Sequence, residues 1–117
     1  MHPHYYKNIQ GWFNSGFRRM YEYQVKNCKD NAHFVEVGAW KGKSTCYMGV
    51  EILNSQKTIK FDVVDTWLGS DESKHKKDVS RSIGGGSNRI ERYRIPPQLI
   101  RDLFDATGLQ SSVSRIV

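Results

Sequence analysis

Residues 33–65 constrain the fold of this chain more than any other stretch. His33 to Val37 is a short apolar run with strand character, and Gly38 to Lys43 is a turn carrying two glycines. From Ser44 to Asn54, apolar and small residues recur at spacings of three and four, which predicts a helix. Its inward face would be Cys46, Gly49, Val50 and Leu53. Gly49 costs about 1 kcal/mol of helix propensity relative to alanine, so its presence there implies close packing on a sheet. Ile59 to Asp65 is β-branched and aromatic and reads as a second strand. A strand–turn–helix–strand unit places its two strands parallel, with a right-handed crossover. The expectation is therefore an α/β fold: a Rossmann-like partial parallel sheet of about three strands, order 3-2-1, with flanking helices.

The flanks give a coarser reading. Phe17, Met20, Tyr21, Gln24, Val25 and Cys28 fall at helical spacing over 16–29, with Ser15 as the expected N-cap. Pro96-Pro97 and Gly108 bracket a further helix at 98–106, and Val113 to Val117 is the candidate third strand. Three regions follow: an N-terminal helical segment at 1–32, a βαβ core at 33–67, and a remainder at 68–117. The remainder opens with a long polar stretch containing Lys74-His75-Lys76-Lys77 and Gly84-Gly85-Gly86. It also differs in composition. All 10 lysines lie in 1–77, while 6 of 8 arginines lie in 78–117, as would be seen if the tail were joined from elsewhere.

Composition removes several classes. Apolar residues at 38% and charged residues at 26% describe a globular chain rather than a disordered one. No apolar run reaches the ~18–20 residues of a membrane span. Met1-His2-Pro3-His4-Tyr5-Tyr6 lacks the basic-then-apolar pattern of a secretory leader, and Cys28 and Cys46 form no CxxC pair. A reduced, cytoplasmic setting is expected, with no membrane partner. The net charge of +6 admits a nucleic-acid partner, but the basic residues are scattered and do not favour one. His2 and His4 read as a flexible terminus, with no third ligand near enough for a metal site. His75, Asp71 and Glu72 carry nothing that orients them.

The segment Glu36-Val37-Gly38-Ala39-Trp40-Lys41-Gly42-Lys43-Ser44 carries the chemistry. It delivers an acid to the carboxyl end of a strand, then a glycine turn, then a helix start. Ligands of open α/β sheets bind in the crevice at that end. Gly38 and Gly42 permit a sharp turn and close approach of a ligand to the backbone. Ser44 and the free amides of the helix start suit a carboxylate. Trp40 and Lys43 break the GxGxxG spacing of a dinucleotide site. Gly42-Lys43-Ser44-Thr45 ends as a P-loop ends, but three residues separate its glycines where four are required. The second strand ends in Asp65, 65 − 42 = 23 residues after the second glycine, where a carboxylate could accept from ribose hydroxyls. Asp62 is expected to face solvent. Trp67 could flank an adenine or simply pack.

This segment resembles motif I of the class I S-adenosylmethionine-dependent methyltransferases, in the E-x-G-x-x-x-G-x-S form seen in catechol and caffeoyl-CoA O-methyltransferases and in methyltransferase domain family 24. The resemblance covers about residues 17–67. It implies S-adenosyl-L-methionine as cofactor, with Gly38 and Gly42 shaping the loop under the methionine moiety. It further implies Ser44 at the methionine carboxylate, Trp40 beside the cofactor and Glu36 near its methionine end. Asp65 would bind the ribose. In those families the catalytic groups come mainly from the fourth strand onward, including an acidic cluster. The expectation is a transferase truncated after the third strand, holding the cofactor half, with no catalytic residue assignable and the methyl acceptor unknown. Strand 33–37 should then be an unpaired apolar edge, to be covered by an oligomer or partner. The rival readings are a degenerate P-loop nucleotide-binding protein and a non-catalytic interaction module.

Overall fold

A computed structural model describes residues 1–68 and 97–117. Among them are helices α1 (Ser15–Asn27), α2 (Lys43–Ser55) and α3 (Pro97–Thr107), and strands β1 (His33–Val37), β2 (Lys60–Val64) and β3 (Arg115–Ile116). The sheet is wholly parallel, in the order β1-β2-β3. This is the expected α/β, Rossmann-like partial sheet with flanking helices. The polar stretch with Lys74-His75-Lys76-Lys77, Asp71, Glu72 and Gly84-Gly85-Gly86 lies outside the described residues.

Alternation along the strands decides where the core sits. Phe61 and Val63 point to the helical side and are buried with Val25 of α1 and with Met48 and Ile52 of α2. A second cluster joins Cys46 and Val50 of α2 to Ile100, Phe104 and Leu109. Residues 97–117, set apart by composition, thus supply three fully buried side chains and the strand that pairs with β2. Helix α2 lies between the two clusters and is buried on nearly every side, from Thr45 to Val50.

Gly49 allows that burial, though not against the sheet as expected. A β-carbon there would stand 2.7 Å from the Ser112 hydroxyl and 3.3 Å from the Phe104 ring, so the glycine admits α3 and the turn after it.

Helix α1 departs from its expected form in three ways. Its N-cap is Asn14, not Ser15: the Asn14 side chain accepts from the Phe17 amide at 3.1 Å. It ends at Asn27, where the Lys57 ammonium donates to the carbonyls of Val25, Lys26 and Cys28 at 2.7–2.9 Å. A cation there satisfies the last carbonyls and complements the helix dipole. Finally, Phe17, Met20 and Gln24 are exposed rather than inward, because among the described residues α1 meets the apolar core through Tyr21 and Val25, with Cys28 just past its end.

The N-terminus is pinned, not loose. The His2 amide donates to Asn54 at 2.7 Å, and the His4 ring stacks on Tyr47 with centroids 4.1 Å apart.

The opposite face of the sheet carries Val35, Val37 and Asp62. Asp62 was expected in solvent but is nearly covered. Its Oδ2 takes His33 Nε2 at 2.8 Å and Arg115 Nη2 at 3.0 Å. The Arg115 guanidinium, and then His33, hold its pKa below the ordinary carboxylate value despite the opposing cost of burial. Among the described residues β1 is an edge strand, with Val37 79% exposed. No helix among them is long and apolar enough to cross a membrane.

Candidate functional site

The site is built where β1 and β2 end side by side. In a parallel pair, both carboxyl ends open on the same rim, so the turn after β1 and the residue after β2 must meet. Asp65 Oδ2 accepts from the Ala39 amide at 2.7 Å and from the Trp40 amide at 3.1 Å. Its Oδ1 accepts from the Trp67 amide at 2.9 Å. A single, partly buried carboxylate therefore pins the glycine turn and the chain leaving β2. Trp40 and Trp67 both adopt positive φ, +48° and +61°, which costs an L-residue about 1–2 kcal/mol each. Asp65 holds the amides of both strained residues.

The two glycines of the turn have different surroundings. Gly38 has φ +85°, and a β-carbon there would meet nothing within 4 Å among the described residues. Gly42, the N-cap of α2, has φ +92°, and a β-carbon would lie 2.5 Å from Ile100 Cδ1. Gly42 thus serves packing against α3, while no described residue crowds Gly38. Gly42 offers no side-chain cap, and the first turn of α2 contains no acid.

Glu36 is buried beneath this turn. Its carboxylate accepts from the Tyr21 hydroxyl at 2.7 Å and from the Thr45 hydroxyl, with the Ser44 hydroxyl close by. Burial raises the Glu36 pKa above its ordinary value; the hydroxyls oppose that shift, and nearby Asp65 adds to it. Tyr21 is likewise pushed up, first by its burial and then by Glu36. Ser44 is therefore turned inward to this network rather than outward from the helix start.

Of the residues singled out in sequence, Glu36, Gly38, Trp40, Ser44 and Asp65 come together at one rim. Trp67 packs against both apolar clusters, with its indole N–H lacking a partner among the described residues. Cys46 is fully buried, as expected of a core residue, and burial pushes its thiol up to about 11. Among the described residues no group of three or more His, Cys, Asp or Glu is placed to hold a metal ion.

Three contributors were not identified in the sequence. Tyr21 and Thr45 hold Glu36, and Trp12 packs on Trp40 with ring centroids 5.6 Å apart. The helical spacing had placed Tyr21 inward but gave it no polar partner. Nothing in the spacing linked Trp12 to the turn. Comparison with protein-family models, with curated proteins and with solved structures gives no match to this chain.

Proposed function

We propose that this chain binds S-adenosyl-L-methionine at the β1–α2 turn, as the cofactor-binding half of a class I methyltransferase. The observation that carries this reading is the contact of Asp65 with the Ala39 and Trp40 amides, which makes the turn and the second strand's end one site. A carboxylate offers about four acceptor positions, and three are used here, so Asp65 can still accept from a ribose hydroxyl on its solvent side. Gly38, which no described residue crowds, fits a ligand lying against the backbone. The uncapped first turn of α2 fits the methionine carboxylate, since helix starts attract anions.

Trp40 would lie beside the cofactor. Glu36 would act through Ser44 and Thr45, fixing the start of α2, and Gly42 and Trp67 would hold the rim in shape. The bound cofactor would supply an electrophilic methyl group on a sulfonium. This chain's own residues would bind and orient it, and no residue is assigned to activating an acceptor.

The P-loop alternative is disfavoured by the same geometry. Two turn amides that would face a phosphate are directed at the Asp65 carboxylate instead. A non-catalytic module would keep the fold and bind none of these ligands. Titration calorimetry with S-adenosylmethionine, S-adenosylhomocysteine and ATP separates the three readings. Saturable binding of the first two, lost in Asp65→Ala, is the expected result. ATP binding lost in Lys43→Ala would replace this proposal with the second reading, and no heat from any ligand would favour the third.

A further inference from the structure

The N-terminal segment forms a groove of about 540 Å³ beside the proposed cofactor site. Its walls carry Lys7, Arg18 and Lys43 together with the rings of Tyr6, Trp12 and Phe17. Among the described residues no carboxylate lines it, and the first 21 residues of the chain contain none. Scattered in sequence, these cations are brought onto one concave surface by the fold. Trp12 is 61% exposed and Phe17 54%. Arg18 is held in place by a 2.7 Å bond to the Phe13 carbonyl and by the Tyr6 ring, 5.5 Å below its guanidinium carbon. The groove adjoins the glycine turn directly. A β-carbon added at Gly11 would lie 3.5 Å from the side chains of Trp40 and Lys43, and Trp12 packs on Trp40.

Cations that follow a groove, alternating with exposed aromatic rings, are the means by which single-stranded nucleic acid is held: phosphates pair with the cations and bases stack on the rings. We infer that this groove binds a segment of single-stranded nucleic acid, with a base on Trp12 and the flanking phosphates on Lys7, Arg18 and Lys43. A duplex cannot stack its bases there without unpairing, so discrimination against duplex follows from the same geometry. An acidic peptide could satisfy the cations but would leave the rings without stacking partners. The inference does not rest on cofactor binding, and its test contains no cofactor.

The test uses the full chain and a fluorescein-labelled oligothymidylate, followed by anisotropy over a range of salt concentrations. Binding should weaken with salt, and the slope of log K against log salt should fall by about 0.7 for each cation removed, in Lys7→Ala and in Lys43→Ala. Trp12→Ala should bind roughly 5- to 150-fold more weakly at any one salt concentration, the loss of one stacked base, and Trp12→Phe should recover most of it. Circular dichroism and thermal melting of each variant establish that it is folded, which the exposure of Trp12 and Lys7 leads one to expect. The inference is overturned if the same-length duplex binds as tightly as the single strand. It is also overturned if folded Trp12→Ala binds normally, or if thymidine monophosphate competes as strongly as the oligomer.

Discussion

Gly42 is the position at which one added methyl group should do the most damage, and the structure separates two causes. A side chain at φ +92° costs about 1–2 kcal/mol, because its β-carbon crowds the following carbonyl. The second cause is steric: the β-carbon would lie 2.5 Å from Ile100 Cδ1. Ile100 is fully buried and cannot swing aside, so the overlap should add about 1–3 kcal/mol, the usual range for overpacking. Gly42→Ala should thus destabilise by about 2–5 kcal/mol in all.

Gly38→Ala isolates the backbone cause, since no described residue lies within 4 Å of its β-carbon, and should cost only about 1–2 kcal/mol. Ile100→Val removes Cδ1 and should itself cost about 0.5–1.5 kcal/mol. In Ile100→Val, adding Gly42→Ala no longer creates the overlap. The double variant should therefore be about 1–3 kcal/mol more stable than the sum of the singles predicts. Urea unfolding followed by tryptophan fluorescence, with unchanged m-values, gives all four corners of the cycle. Additivity within about 0.5 kcal/mol, or equal costs at Gly38 and Gly42, would refute the placement of Ile100 over the turn.

Three further outcomes follow from the structure. Glu36 has a raised pKa in the folded state, so the unfolded chain loses this proton first, and stability should fall as pH rises above the ordinary carboxylate value of 4.5 toward the folded one. Glu36→Gln should remove that decline, which urea titrations from about pH 4 to 8 would detect; an unchanged pH profile would mean that Glu36 is not buried as described. Cys46 is fully buried with its thiol pushed up to about 11, whereas Cys28 is partly exposed, so a thiol reagent at neutral pH should label only Cys28 rapidly in the native chain and both on unfolding. Strand β1 receives the Lys60 amide at the Ala32 carbonyl and gives the Gly38 amide to Val64, so 33, 35 and 37 direct their backbone groups away from β2. Val37→Lys should accordingly reduce self-association in sedimentation without lowering stability, a charge on an edge being a barrier to strand pairing.

The elements of the fold were legible because their signals are local. A five-residue apolar run, two glycines and a helical repeat fix β1, the turn and α2, and the parallel crossover follows from chain geometry. Asp65 was legible for the same reason, since a strand's last residue has only one rim to occupy. Orientation about α1 was not. Helical spacing nominated a stripe through Phe17, Met20 and Gln24, but which part is covered depends on where the helix lies against β1 and α2, a tertiary fact with no local sign. Gly49 marked close packing correctly and its partner incorrectly, because the approach of Phe104 and Ser112 comes from residues more than 50 positions away. Asp62 looked like a surface residue by alternation, and its cover comes from His33 and Arg115, neither of them its neighbour in sequence. The inward turn of Ser44 depends likewise on Tyr21, a residue of another helix.

We propose that the β1–α2 turn and Asp65 together receive an adenosyl amino acid. Amide nuclear magnetic resonance during titration with S-adenosylhomocysteine tests it most directly. Saturable shifts are expected at Gly38, Ala39, Trp40, Ser44 and Trp67, and none of them in Asp65→Ala. Shifts confined to residues away from this rim, or none at saturating ligand, would contradict it.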